Sequence, residues 1–231
     1  MNSKPLSQQL EEAFVRCRDM DASLAERLQA FADAVRQFGP HFQDAVDHLV
    51  ERLKQHDVGE SAPKPGETMP NFVLPDETGQ LVSLDALLEK GPVAVTFHRG
   101  HWCPYCRINT RVLAEAQGQI AAEGGQVAAI MPDREHFTAG LKAESEAPFP
   151  ILTDFDNGYA LSLNLAFWVG EEMQELISFD EIAVGGDGSS ERSGCPGGVQ
   201  RGSARGHASG AALRAVRGWL QMALDDRGVR P

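Results

Sequence analysis

From residue 92 onward, short apolar, β-rich runs alternate with longer helical stretches, and that alternation sharply limits what this chain can fold into. Pro92–Phe97 (Pro-Val-Ala-Val-Thr-Phe) reads as a buried central strand, Gln126–Met131 as a second, and Ile151-Leu152 as a short third. Helical stretches separate them, one from Pro104 to about Glu123, stopped by Gly124-Gly125, and one from Asp133, its expected cap, to Ser145. Strands joined through helices form βαβ units, so a mainly parallel sheet is expected. Upstream, Phe72-Val73-Leu74 and Leu81-Val82 flank the turn Asp76-Glu77-Thr78-Gly79, and Ser83 is placed to cap a short helix, Leu84–Glu89. Two further helical segments are expected near Tyr159–Leu165 and Glu171–Ser178.

Residues 1–57 read as a helical region. Leu6, Leu10, Phe14 and Cys17 share one face of a 3.6-residue period, and Cys17 reads as a small core residue. Ser23 and Glu26 have capping-box spacing ahead of the stripe Leu24, Leu28, Phe31, Ala32 and Val35. Gly39-Pro40 ends that helix, and a third follows with Phe42, Val46, Leu49, Val50 and Leu53 apolar. Such a helical hairpin or bundle packs on the next domain or mediates self-association, for which a homodimer is the simplest form. Residues 58–69, with Pro63 and Pro65, read as a linker, and 70–182 as the α/β domain.

The character changes after Val184. Of the 34 residues Gly185–Gly218, ten are Gly and five are Arg, and none is aromatic. A segment of this composition buries little apolar surface, so 183–218 is expected to be low-complexity and loosely held. A short helix or tail, 219–231, closes the chain. The formal net charge of −12 argues against nucleic acid and anionic membrane surfaces as partners. No apolar run approaches the roughly 20 residues that span a bilayer, and no secretory leader is visible, so a cytoplasmic location is expected.

Four cysteines, Cys17, Cys103, Cys106 and Cys195, are too few for a disulfide scaffold of this length. Cys103 and Cys106 form a C-x-x-C pair between a strand and a helix, which reads as a thioredoxin-like redox site. Pro104 suits the first helical position, where its missing N–H costs nothing. Cys103 then sits at the first turn as the exposed nucleophile, and Cys106 lies one turn further on the same face as the resolving thiol. The helix N-terminus and Arg99 both favour a thiolate. His98 and His101 are placed to add charge or carry protons, or else to pack. Trp102 is placed as an apolar lid over the site. Structural zinc needs four ligands, and Cys17 and Cys195 lie in unlike segments, so no metal or other cofactor is expected.

Three groups of residues, in order, resemble one family. They are Gly66-Glu67-Thr68-Met69-Pro70-Asn71-Phe72, then Leu74-Pro75-Asp76 with Gly79, then Val95-Thr96-Phe97-His98-Arg99-Gly100-His101-Trp102-Cys103-Pro104-Tyr105-Cys106. Together they look like the alkyl hydroperoxide reductase / thiol-specific antioxidant family, in its peroxiredoxin-like branch with a C-x-x-C pair. The resemblance covers roughly 60–182 and implies a thioredoxin-like fold, a three-layer αβα arrangement, here with an N-terminal helical extension and an irregular Gly/Arg-rich C-terminal segment. It also implies reduction of peroxides by thiol chemistry. In the family register the reactive Cys falls on Cys106, with Cys103 at a Thr position, whereas local geometry favours Cys103 as the attacking sulfur. The family continues with a Pro-containing segment and two closing strands, where this chain has Gly185–Gly218. Gln221–Asp226 again looks like the end of a member, so an out-of-frame stretch between about Val184 and Leu220 is the hypothesis, which resequencing the gene tests.

The expected function is a thiol-dependent peroxidase acting on a peroxide substrate, with Cys103, Cys106 and Arg99 as catalytic residues and Trp102, Pro104 and His101 in support. A thioredoxin-like reductant, or glutathione, would restore the thiols. The alternatives are a thiol–disulfide oxidoreductase and a non-catalytic redox sensor or interaction protein.

Overall fold

The computed structural model describes residues 6–38, 40–56 and 61–171. The expected helix from Glu171, the Gly/Arg-rich stretch 183–218, Cys195 and the closing residues 219–231 lie outside them. The described chain divides into two units.

The first unit is helical. α1 spans Leu6–Arg18, α2 Leu24–Phe38 and α3 Pro40–Gln55. The capping box forms as its spacing predicts, with Ser23 N–H and Oγ donating to Glu26 Oε2 at 2.9 and 2.7 Å. Ala13, Phe14, Cys17, Phe31, Val35 and Ala45 are buried, and burial pushes the Cys17 thiol up, against the lowering effect of Arg16. Arg27 is buried with them, and its guanidinium donates to the carbonyls of Ala22 and Arg18. Phe167–Glu171 belongs to this unit, where Arg52 Nη2 donates to the Val169 carbonyl at 2.6 Å.

The second unit is thioredoxin-like α/β. Its elements are β1 (Val73–Pro75), β2 (Leu81–Ser83), α4 (Leu84–Leu88), β3 (Val93–Phe97), α5 (Pro104–Ala122), β4 (Gln126–Met131), α6 (Glu135–Ser145), β5 (Ile151–Thr153) and α7 (Gly158–Ser162). β1 and β2 pair antiparallel, with Leu74 opposite Val82. β3, β4 and β5 form a parallel sheet in the order β3-β4-β5.

Successive β4 side chains point to opposite faces, and the core divides accordingly. Val127, Ala129 and Met131 pack with Leu113 and Ile120 of α5, Leu141 of α6 and Ile151. Ala128 and Ile130 pack with Phe72, Leu84, Leu87 and Leu152 on the other face. The sheet therefore lies between α5 and α6 on one side and α4 with the β1–β2 hairpin on the other.

Three expectations need correction. Among the described residues β4, not β3, is the central strand, and four of the five β3 residues are only partly buried. α6 begins at Glu135 with Arg134 at its cap position, because the Asp133 side chain is engaged elsewhere. α7 is a helix of five residues, Gly158–Ser162, shorter than the segment expected near 159–165. The stop after α5 forms as expected. Gly124 takes φ +74°, and the Gly124 and Gly125 N–H groups donate back to Ala121 and Ile120 in a Schellman arrangement.

Candidate active site

The site lies at the carboxyl end of the parallel sheet, where β3 runs into the loop His98–Cys103 and then into α5. Open α/β sheets gather their chemistry at this edge. Gly100 takes φ +151°, and a Cβ there would overlap the Trp102 indole nitrogen, so the loop is built around a glycine. Cys103 occupies the N-cap position of α5 and Pro104 its first turn, as expected. The Cys103 carbonyl accepts the Cys106 and Arg107 N–H groups at 3.0 and 3.1 Å, which opens the helix.

Arg99 brings both sulfurs together. Its Nη2 donates to Cys103 Sγ at 2.9 Å, and its backbone N–H donates to Cys106 Sγ at 3.2 Å. The guanidinium lies 5.8 Å from the Trp102 ring centroid and 5.7 Å from that of Tyr105, and its Nε is buried without a partner. Trp102 thus flanks Arg99, and Tyr105, between the two cysteines, supplies the second ring.

The two thiols are driven apart in acidity. Burial opposes ionisation of Cys103, but the Cys106 thiol and amide and the Arg99 guanidinium outweigh it and bring Cys103 down to about 6. Cys106 is raised well above its ordinary range, because it donates a hydrogen bond to Cys103, is buried and faces that developing charge. Both thiols are free. Cys103 is not the exposed sulfur that a first-turn position suggests; its residue exposure is 0%, and that of Cys106 is 6%. The loop folds back over the helix start, with the Cys103 N–H on the Gly100 carbonyl at 3.2 Å.

The two histidines separate. His98 is buried inside the domain, with Nε2 at 2.9 Å from Thr96 Oγ1 and 3.2 Å from Asn109 Oδ1, and Nδ1 at 3.4 Å from Thr110 Oγ1. Burial holds it down to about 4, against the Asn109 bond, so it is neutral and adds no positive charge near pH 7. It ties the end of β3 to α5, and Thr110 Oγ1 goes on to donate to the Cys106 carbonyl at 2.9 Å. His101 instead turns outward to Asp133. Sequence reading gave Asp133 to the helix cap; its place just beyond β4, at the sheet edge that carries the cysteines, was the available signal for a site role.

No group of His, Cys, Asp or Glu among the described residues is arranged to hold a metal ion. None of the helices described is long and apolar enough to cross a membrane.

The sequence model of the AhpC/TSA family matches residues 65–172, which takes in the hairpin, the sheet and both cysteines. This stretch belongs to the AhpC/TSA family. Among solved structures, the chain is similar to the peroxidoxin BcpB from Mycobacterium tuberculosis, with 25% identity and a TM-score of 0.43 over 44% of this chain and 66% of that one. It is also similar to a hypothetical protein from Sinorhizobium meliloti, with 26% identity and a TM-score of 0.41 over 46% of this chain and 62% of that one. A third is the bacterioferritin comigratory protein of Xanthomonas campestris, described for alkyl peroxide reduction, at 14% identity and a TM-score of 0.38 over 41% of this chain and 60% of that one. The chain thus spans less than two thirds of each of these three proteins. No curated protein sequence matches it.

Proposed function

We propose that this chain, through its AhpC/TSA-family stretch, is a thiol-dependent peroxidase in which Cys103 attacks the peroxide and Cys106 resolves the product. The observation that carries the reading is the Arg99 guanidinium on Cys103 Sγ at 2.9 Å, beside a second thiol on the same helix start. A thiolate, not a thiol, is the nucleophile. The Cys103 thiolate attacks the outer peroxide oxygen, the O–O bond breaks, and hydroxide or alkoxide leaves. Cys103 becomes a sulfenic acid. Cys106 sulfur then attacks Cys103 Sγ, the S–O bond breaks, water leaves and a disulfide remains. An external dithiol of the thioredoxin type, or glutathione, returns two electrons.

Arg99 has a second use in this sequence, since its charge opposes that of the leaving oxygen. Burial of both sulfurs favours hydrogen peroxide and small hydroperoxides over bulky ones, and attack needs a local opening of the loop. A cytoplasmic site of action and self-association through the N-terminal helices complete the proposal; analytical ultracentrifugation reads the latter.

A second reading is a thiol–disulfide oxidoreductase, and the acidity split favours it as well. A low Cys103 beside a high Cys106 at a helix start also suits exchange with a disulfide. Stopped-flow mixing of the reduced protein with hydrogen peroxide, and separately with a small aromatic disulfide, separates the two. The peroxidase reading expects faster reaction with peroxide, losing both thiols; faster reaction with the disulfide and slow reaction with peroxide would replace it by the exchange reading.

A further inference from the structure

Asp133 follows β4, and one of its oxygens reaches across to the loop that carries the cysteines. Oδ2 accepts the His101 N–H at 2.6 Å and His101 Nδ1 at 3.0 Å, so a single atom fixes both the backbone and the ring of that residue. The ring also stacks on Phe137 of α6, with centroids 3.8 Å apart and an interplanar angle of 12°. Among the described residues, no other side chain hydrogen-bonds to residues 100–102. The Asp133 side chain is only 14% exposed, so its charge faces the loop rather than water. A Cβ on Gly100 would lie 3.1 Å from the same Oδ2 and would also meet the Trp102 indole nitrogen, so the carboxylate packs against the turn itself.

The residues on either side of His101 are the ones that hold Cys103. Arg99 Nη2 lies on Cys103 Sγ at 2.9 Å, the Gly100 carbonyl accepts the Cys103 N–H at 3.2 Å, and Trp102 flanks the guanidinium. Cys103 is fully buried among them, although it opens α5, where a side chain ordinarily meets water. We propose that Asp133 is a positioning residue that latches the cysteine loop to the end of β4, keeping the Arg99 guanidinium on Cys103 and that sulfur out of solvent. Breaking the latch frees the loop, so the guanidinium leaves the sulfur and reagents reach it. A latch and a simple charge effect differ in sign. A carboxylate acting through its charge opposes the thiolate, so its removal would bring the Cys103 titration down. Removal of a latch takes it up, because the Arg99 charge is lost from the sulfur. Asp133 is not among the groups that set the Cys103 acidity directly. This role rests on the reading of Cys103 as the ionised nucleophile, whether it attacks a peroxide or a disulfide.

The other charged or titratable groups around the latch are His136 of α6, whose ring meets Phe137 at 3.8 Å, Arg134 on the Phe155 ring, and Arg99 with the two thiols. The test leaves all of them in place. Alkylation of Cys103 by iodoacetamide, read by mass spectrometry of its peptide, is followed from about pH 5 to 10 in the full chain and in its Asp133→Ala, Asp133→Asn and Arg107→Ala variants. The midpoint of the profile reports acidity, and its plateau reports access. In Asp133→Ala the midpoint should move up from about 6, and the plateau rate should rise by about 10-fold or more, the scale of one lost charge-assisted hydrogen bond. Asp133→Asn keeps an oxygen for the His101 N–H and should fall between that variant and the wild type. Arg107→Ala loosens α5 from α6 without touching the loop and should match the wild type in both respects, which sets general loss of stability apart. A midpoint that stays or moves down in both Asp133 variants would overturn the proposal, as would an unchanged plateau or the same change in Arg107→Ala. If Asp133→Ala does not fold, Asp133→Asn decides by the same signs. Reaction of the wild type with peroxide and with the aromatic disulfide is measured alongside. A latched Cys103 that ignores peroxide removes the peroxidase reading alone, whereas a wild-type midpoint in the ordinary thiol range overturns the latch whichever substrate reacts.

Discussion

Arg99 Nη2 donates to Cys103 Sγ at 2.9 Å while its own backbone N–H reaches Cys106, so one residue addresses the two sulfurs with two different groups. The side chain carries a charge and the amide does not, and the charge goes to the thiol that ionises first. This division makes the roles of the cysteines separable by experiment.

Replacing Arg99 by Met removes the charge and keeps much of the length. The Cys103 titration should then move up from about 6 toward the ordinary thiol range. At neutral pH the thiolate fraction and the initial reaction with peroxide should fall by about 10-fold or more. Alkylation by iodoacetamide against pH reads the first effect, and stopped-flow fluorescence the second.

The pH dependence of the wild type has a fixed sign. Cys103 ionises at about 6 instead of its ordinary 9.0, so the rate of its reaction should rise as pH rises through about 6 and then level off. By linkage, its contribution to stability is complete above the ordinary thiol value and is lost as pH falls through about 6. Cys106 is raised instead and stays protonated across this window. Denaturant unfolding at several pH values, in the wild type and in Cys103→Ser, checks the point, since the slope should flatten in the variant.

Gly100→Ala should destabilise the α/β unit by about 1–3 kcal/mol. The new Cβ meets the Trp102 indole at a φ of +151°, and it would also lie 3.1 Å from Asp133 Oδ2. Unfolding followed by Trp fluorescence gives the stability, and the peroxide rate of the folded variant should fall because the loop carries Arg99.

Arg107 joins α5 to α6 through a two-pronged pair with Glu144, with Nε to Oε2 at 2.9 Å and Nη2 to Oε1 at 2.5 Å. The side chains are 14% and 29% exposed, between the surface and buried cases, so Arg107→Ala should cost about 1–3 kcal/mol. Chemical denaturation measures it. The Cys103 titration should be unaffected, since Arg107 is not among the groups that set it.

Much of the site could be read from the sequence because its parts are contiguous. Arg99, Trp102, Cys103, Pro104 and Cys106 lie within eight residues, and the strand and helix on either side fix their order. Pro104 at the helix start and Gly124 at its end mark α5 by backbone chemistry alone. The burial of Cys103 was not legible, because it depends on how the Gly100 turn folds the loop back. Asp133 was misread for a similar reason. A carboxylate ahead of a helix suits a cap, and only the pairing of β4 beside β3 brings it to His101. His98 was left open between a charge or proton role and packing, and the choice was made by Asn109 and Thr110, which come from the next helix. The central position of β4 among the described strands is a property of strand order, which apolar content does not encode.

The most direct measurement is mass spectrometry of the peptide carrying Cys103 and Cys106 after brief treatment of the reduced protein with equimolar hydrogen peroxide. The wild-type peptide should lose two hydrogens as an internal disulfide, and in Cys106→Ser a dimedone-trapped sulfenic acid should appear on Cys103. A sulfenic acid trapped on Cys106 in Cys103→Ser at the wild-type rate, with none on Cys103 in Cys106→Ser, would contradict the account and exchange the roles of the two sulfurs.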